Sequence, residues 1–198
     1  MGFKSYLGVI TLLIGLISYG LYFIDIFKGK TKPHAMSWLV WGVLNSVIFL
    51  SQQTSGAGAG SWITAFSATA ALLIFITSLR YGEKKVTKLD GYCVLGAAVS
   101  LLLWFTQRHG EPAVILASIT FVLGFIPTYR KAYSKPYQET ILTFTLNGTK
   151  FLIALFALSN LAFTSLLYPT TLAFTNLGFV LFLIIRRRQV SKRTNRKA

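Results

Sequence analysis

The sequence predicts an all-α membrane protein whose seven transmembrane helices form two parallel three-helix repeats joined by a linker helix. Three observations predict this fold: long apolar spans, basic clusters at alternate span ends, and a unit that occurs twice. Hydrophobic residues make up 54% of the 198 residues and charged residues only 13%, against about a quarter in soluble domains. Such segregated charge is typical of a multi-pass protein. We expect it in the plasma membrane, or in the inner membrane if the protein is bacterial.

Seven apolar spans follow one another along the chain. About 20 residues at about 1.5 Å each cross the apolar core of a bilayer, and most of the spans approach this length. The fourth span is short, so Tyr92 and Trp104 near its ends are expected at the membrane interfaces. The spans cover residues 6–27, 35–52, 62–79, 91–105, 113–129, 139–158 and 161–185.

Charge placement predicts the orientation of these helices. Seventeen of the twenty Lys and Arg residues fall at alternate span ends, in the clusters 28–32, 80–88, 130–135 and 186–197. Only Lys4 and Arg108 fall at the opposite ends. Cytoplasmic loops of membrane proteins carry the excess of Lys and Arg. The N-terminus is therefore predicted outside and the C-terminus inside.

The same placement decides what the net charge of +15 means. Because the cations lie at the ends of apolar spans, they are explained by orientation in the membrane, and nucleic acid is not an expected partner. The basic tail, residues 187–198, is expected to contact anionic lipids. The expected partners are thus the lipid bilayer and a small-molecule substrate, and self-association into a homo-oligomer is left open.

Catalytic chemistry and metal binding are not predicted. Cys93 is the single cysteine, so neither an internal disulfide nor a cysteine metal cluster can form. The two histidines, His34 and His109, fall in predicted loops. The spans contain no Cys/His or Ser/His pair and no paired carboxylates at one depth. We therefore expect no enzyme, no cofactor and no metal.

An internal repeat sets the domain organisation. Shifting the sequence by 103 positions superimposes like residues without a gap, and the order of spans and turns also recurs. The predicted parts are a first three-helix repeat (5–80), a linker helix with its loops (81–110), a second repeat (111–186) and the basic tail (187–198). Parallel repeats of this kind place a cavity near the midplane. The matched pairs are Tyr22 and Phe125, Lys28 and Lys131, Lys32 and Lys135, Pro33 and Pro136, and Ser37 and Thr140.

The repeated unit also carries a family resemblance. A Tyr near a helix end, a basic turn with Lys and Pro, and a hydroxyl residue opening the next helix resemble the PQ-loop signature. Together with the order of three helices, one linker helix and three helices, this unit makes the chain resemble the SWEET and PQ-loop superfamily. Ile24-Asp25 and Pro127-Thr128 stand in place of the Pro-Gln dipeptide of that signature. The string WLVWGVLN at 38–45 is similar to a pattern of nicotinamide riboside transporters. The resemblance implies transport of a small polar metabolite, such as a sugar, a nucleoside or vitamin, or an amino-acid-like solute.

One face of the second helix is a candidate binding surface. Trp38, Trp41 and Asn45 have the spacing i, i+3, i+7, which places them on one side of a helix. Two indoles and an amide can stack against and hydrogen-bond a planar solute. The alternative is that Trp38 is interfacial, Trp41 fills the bundle and Asn45 bonds across helices.

Lys150 is the only cation inside a predicted span. It lies about 16 Å from the start of its helix at residue 139, and a Lys at that depth costs about 3 kcal/mol to insert. We therefore expect it to face the bundle interior, beside Thr143 and Asn147. It would either bind an anionic or carbonyl-bearing solute or titrate during coupling. The alternative is a structural Lys that snorkels, or that bonds to Asn176 or to backbone carbonyls.

The last span contributes two further candidates for the substrate site, Tyr168 and Asn176. Both flank Pro169, which is expected to kink the helix near midspan and to free a carbonyl. Asn176 is a candidate cavity ligand, or else only a bond between helices.

Gate and hinge residues are predicted at the inner ends of the helices. Asp25 and Glu139 are each expected to pair with a Lys of a basic turn and to form an inner gate; helix-end compensation is the alternative. Asp25 is also a candidate proton-coupling site. Hinge candidates are Pro33, Pro127 and Pro136; for Pro33 and Pro136 the alternative is that they only mark loops.

The predicted function is therefore a membrane transporter that works by alternating access between its two halves. A non-transporting receptor or sorting protein on the same fold, similar to the KDEL receptors, is the alternative. A retinal photoreceptor is also considered, but its Lys belongs in the last helix, whereas Lys150 lies in the sixth.

Overall fold

The fold is taken from a computed structural model, which describes residues 2–83, 85–107 and 111–195. Lys84, Arg108, His109 and the tail beyond residue 195 lie outside this description. All regular secondary structure in the described ranges is helical. Two short 3-10 turns, Gly58–Ser61 and Pro136–Gln138, accompany the α-helices. The α-helices are α1 Phe3–Phe27, α2 Ala35–Thr54, α3 Trp62–Tyr81, α4 Lys88–Gln107, α5 Glu111–Leu123, α6 Phe125–Ser134, α7 Ile141–Ala157 and α8 Phe163–Asn195.

These helices have the length and composition of membrane spans. Among the described residues, six helical segments are long and apolar enough to cross a membrane, with α5 and α6 together forming one of them. The remaining helix, α7, has 17 residues, which is near the lower limit of about 17 for a spanning helix. The all-α class and the multi-pass character are confirmed. The count of seven spans and the orientation stay predictions.

The basic turn after α1 shows how local sequence sets the helix ends. Gly29 adopts a φ of 68°, and the Lys30 amide donates to the Asp25 carbonyl at 2.9 Å, as in helices that end on a left-handed glycine. The next helix begins at Ala35 and is preceded by His34, whose Nδ1 accepts from the Ser37 amide at 3.3 Å. This capping bond gives a hydrogen-bond acceptor to one of the backbone amides that have no partner within the helix at its start. His34 is thus an N-cap.

The fifth predicted span is one segment with a break at Gly124, where α5 ends and α6 begins. Pro127, a predicted hinge, follows three residues later and lacks an amide hydrogen. Side chains of α2 serve the backbone here: Ser37 Oγ donates to the Gly124 carbonyl at 2.9 Å, and Trp41 Nε1 donates to the Phe121 carbonyl at 3.3 Å. The break is therefore held by the opposite half of the molecule.

Helix packing follows the same pattern in two triplets of helices, which we also call the two halves. The first consists of α1, α2 and α3, and the second of the α5–α6 segment, α7 and α8. Helix α3 packs against α1 and α2, and α8 packs against α7 and α5. Across the molecule, α1 packs against α7 and α2 packs against α5, while α4 packs against α2 and α5. Each triplet thus has its third helix in the middle, and each first helix meets the second helix of the other triplet. This arrangement is the one expected of two parallel copies of one unit. The repeat itself and its boundaries at 80 and 111 stay predictions.

The predicted basic tail begins within a helix, since α8 continues to Asn195. Arg186 Nε donates to the Tyr133 carbonyl at 2.7 Å, and the Arg186 guanidinium lies 3.8 Å from the centroid of the Tyr133 ring. The first part of this extension is therefore attached to the end of α6.

Candidate functional site

A small cavity lies between the two triplets and receives side chains from both. Five of the seven residues predicted to bind substrate line it: Trp38, Trp41, Asn45, Asn147 and Asn176. The centre of a water-sized sphere can occupy about 20 Å³ of it, which is room for about one water. The other lining residues are Tyr19, Ala71, Phe121, Phe125, Phe144, Phe151 and Leu172.

The two tryptophans of α2 form the aromatic wall of the first half. Their ring centroids are 5.1 Å apart at an interplanar angle of 80°, a favourable edge-to-face geometry. Each is only 4% exposed, so both face the protein interior. Tyr22 packs against Trp38 with centroids 5.1 Å apart. The face predicted from the i, i+3, i+7 spacing is thus directed at the cavity.

The three asparagines bring amide groups to the cavity from three helices. Asn45 Nδ2 donates to the Trp41 carbonyl at 2.7 Å, and Asn176 Nδ2 donates to the Leu172 carbonyl at 2.8 Å. Both bonds stay within their own helix, so neither amide ties helices together there. Asn147 differs, because its Oδ1 accepts from Ser18 Oγ of α1 at 3.2 Å.

The buried Lys150 lies directly behind this cavity. Its side chain is fully buried, as the cost of a lipid-facing ammonium predicts. Nζ lies 3.9 Å from the centroid of the Tyr19 ring and 5.2 Å from that of Phe151, and both rings line the cavity. No described residue accepts a hydrogen bond from Nζ, so the predicted alternative of bonds to Asn176 or to carbonyls is not realised.

Tyr168, the remaining predicted binding residue, lies at the edge of the same cluster. It is fully buried, and its ring packs against Phe121 with centroids 5.5 Å apart. Pro169 follows in the second turn of α8 and not near midspan as predicted. The carbonyl four residues before it, Ser165 O, accepts from Gln52 Nε2 of α2 at 3.5 Å. The carbonyl that the proline frees is thus matched by the other half.

One end of the bundle carries the basic turns 28–34 and 135–140 and the segments 82–83 and 85–87, and we call it the basic end. Lys131 of α6 is buried, forms an ion pair with the buried Glu139, and also donates to the carbonyl of Lys32 in the other half. Burial raises the pKa of the Glu139 carboxyl above its ordinary value of 4.5, and the neighbouring Lys131 ammonium opposes that rise. Glu139 thus has the lysine partner that was predicted.

Asp25 has a different partner at this end. Its Oδ2 accepts from the Thr140 hydroxyl at 3.1 Å, and the same hydroxyl lies 2.7 Å from that of Thr31. These groups join the end of α1 and its turn to the segment before α7. The halves are therefore connected at the basic end by hydroxyls as well as by Lys131.

Two of the three predicted hinge prolines lie in the turns of the basic end. The Pro33 carbonyl accepts from the Glu83 amide at 2.9 Å. The Pro136 carbonyl accepts from Arg187 Nε at 3.1 Å, while Arg187 Nη2 donates to the Glu139 carbonyl at 2.6 Å. Helix α8 therefore holds the turn that carries Glu139.

The opposite end, which we call the neutral end, is formed by the turns 55–61 and 158–162. The Ser159 amide donates to the Ala57 carbonyl at 2.9 Å, and Asn160 Nδ2 donates to the Ser55 carbonyl at 2.9 Å. A Cβ at Gly60 would lie 2.8 Å from the Leu158 nitrogen. The glycine-rich turn is thus packed against the other half.

The cavity residues that sequence reasoning missed are mostly aromatic. Phe144 occupies the position of Trp41 at the offset of 103, and Phe125 occupies that of Tyr22. The repeat therefore contained a signal for both. Tyr19 lies one helical turn before Tyr22 and was detectable only as part of an aromatic stripe on α1.

No protein-family model matches this chain, and no curated protein or solved structure matches it either. The fold defines an all-helical protein of the multi-pass membrane class. The resemblance to the PQ-loop and SWEET superfamily stays a prediction from the sequence.

Proposed function

We propose that this protein is a transporter that moves a small polar metabolite across a membrane by alternating access between two three-helix halves. In this proposal seven helices span the bilayer, with the N-terminus outside and the basic end inside. The observation that carries it is the cavity between the halves, which is lined by indoles and amides from both. Polar groups that converge in an otherwise apolar interior are typical of small-molecule sites.

The closure of the cavity at both ends supports the same proposal. Contacts between the halves lie at the basic end, through Lys131 and Thr140, and at the neutral end, through Ser159 and Asn160. The space between them, about 20 Å³, is too small for a metabolite. A solute therefore enters only when one closure separates, and transport follows if the two separate in turn.

The test is solute uptake and exchange in sealed vesicles that contain the purified protein, with sugars, nucleosides, amino acids and monocarboxylates as candidate solutes. We expect saturable uptake of at least one class. Asn176→Ala and Lys150→Ala should each reduce it at least tenfold. The matched control is Thr171→Val on α8, which removes a hydroxyl bonded only to its own helix, and it should retain uptake.

Two results would contradict the proposal. If both alanine variants transport like the wild type, the cavity is not the solute pathway. If a solute raises the melting temperature of the protein but never crosses the membrane, the protein is a receptor of the kind considered above.

A further inference from the structure

Lys150 differs from the other buried charged residues of the described chain. Asp90 accepts two hydrogen bonds from Thr87, and Lys131 and Glu139 pair with each other. Lys150 is equally buried and has no hydrogen-bond acceptor in the described part of the chain. A buried charge without a counter-charge is strongly unfavourable. A ligand that binds next to Lys150 is therefore the candidate source of its counter-charge.

The position of Lys150 directs it toward the cavity. Asn147 and Phe151, its neighbours on α7, both line the cavity, as does Tyr19. The Tyr19 ring covers the ammonium at 3.9 Å, so one aromatic ring is shared between Nζ and the cavity wall. A rotation of that ring would bring the ammonium into contact with a solute.

We infer that the solute is a small organic anion, a monocarboxylate with a flat or apolar body, and that its carboxylate binds Lys150. This inference rests on the proposed function and specifies the substrate class of the same site. A carboxylate would supply the missing counter-charge and accept strong, charge-assisted hydrogen bonds. The rings of Trp41 and Phe144 would pack against the body of the solute.

The cavity lining also argues against a cationic solute. None of its twelve lining residues is acidic, so an ammonium group would find no counter-charge and would be repelled by Lys150. Aromatic faces can attract cations, but Lys150 already covers the Tyr19 face, and its ammonium would repel a second cation held by the other rings. A neutral solute can accept a hydrogen bond from the ammonium but supplies no counter-charge, so the preference is for an anion.

The probes are benzoate and propanoate, their neutral amides benzamide and propanamide, and the cation benzylamine. Binding to the purified protein in detergent is measured by thermal unfolding and by tryptophan fluorescence, since Trp38 and Trp41 line the cavity. We expect at least one carboxylate to bind at least tenfold more tightly than its amide, and benzylamine to bind more weakly than either.

Three variants assign that preference to Lys150. Lys150→Met should abolish it and raise the melting temperature of the ligand-free protein, because an unpaired buried charge is removed. Lys150→Arg should retain it. Lys4→Met removes the same charge at the neutral end, where Lys4 donates to the Leu158 carbonyl at 2.7 Å, and should leave the preference unchanged.

The inference is overturned if neither carboxylate binds, if the amides or benzylamine bind as tightly as the carboxylates, or if Lys150→Met retains the preference. If a variant fails to fold, the comparison of carboxylate, amide and benzylamine binding to the wild-type protein still tests the inference. Carboxylate binding without flux in vesicles would overturn only the transport proposal. Flux of a neutral solute that Lys150→Met leaves unchanged would overturn only the anion inference.

Discussion

The two ends of the cavity are closed by different kinds of contact. At the basic end the halves meet through charged and hydroxyl side chains, chiefly Lys131, which donates to the Lys32 carbonyl, and Thr140, which contacts Thr31 and Asp25. At the neutral end they meet largely through the backbone, where Gly60 lets two turns approach closely. The first kind of contact depends on charge and the second on shape. The two ends should therefore respond to different changes.

The largest loss of stability is expected from removing the Lys131 ammonium at the basic end. Lys131→Met leaves Glu139 buried without its ion-pair partner, and breaking a buried pair from one side costs about 3 to 5 kcal/mol. The free energy of unfolding, measured with denaturant in detergent at neutral pH, should fall by that amount. Adding Glu139→Gln should restore most of it; a double variant as unstable as the single one would contradict the assignment.

The neutral end should be sensitive to bulk. Gly60→Val places a side chain against the Leu158 backbone, 2.8 Å from its nitrogen, and such overpacking costs about 2 to 3 kcal/mol. The melting temperature should fall at every pH. The control is Gly20→Ala in α1, where a Cβ meets nothing within 4 Å. Equal effects of both substitutions would show that the close approach is unimportant.

Acidity should act at the basic end through Glu139. Because burial raises the pKa of Glu139 above 4.5, the folded state binds its proton more tightly than the unfolded state does. The contribution of Glu139 to stability is therefore greatest below pH 4.5 and is lost as pH rises through the raised pKa. The wild type should lose stability relative to Glu139→Gln over that range. A constant difference between them would contradict this sign.

The smallest effect is expected from the hydroxyl that joins the halves. Thr140→Val removes the contacts with Thr31 and Asp25, at about 1 kcal/mol for a net hydrogen bond. Thr145→Val is the control, since that hydroxyl bonds only to the Ile141 carbonyl of its own helix. Thermal unfolding should rank Thr140→Val as the less stable of the two variants.

Helix ends were predictable where charge, proline or glycine marks them. The first span was predicted to end at residue 27 and the second to begin at residue 35. Helix α1 does end at Phe27, and α2 does begin at Ala35. The break at Gly124 was missed, because an apolar run on both sides resembles one continuous span. Helix α7 begins at Ile141 and not at 139. The carboxylate of Glu139 is paired with Lys131, and its backbone carbonyl accepts a hydrogen bond from Arg187.

The candidate site was predictable where the cost of burial dictates a direction. Lys150 had to face inward because lipid cannot solvate it, and the periodicity of α2 placed Trp38, Trp41 and Asn45 on one face. Phe121 and Tyr19 gave no such signal, because an aromatic ring is stable against lipid as well as in the interior. Their direction follows from which helices are neighbours, which single spans do not encode.

Alternating closure is the central claim, and distances across both ends test it most directly. Spin labels at exposed positions, Lys30 with Tyr137 and Gln53 with Leu161, report on the basic and neutral ends in a Cys93→Ser background. In vesicles, with the transported solute supplied on one side, we predict that one distance lengthens in part of the population while the other stays short. Two distances that never change, or that lengthen together, would contradict the account.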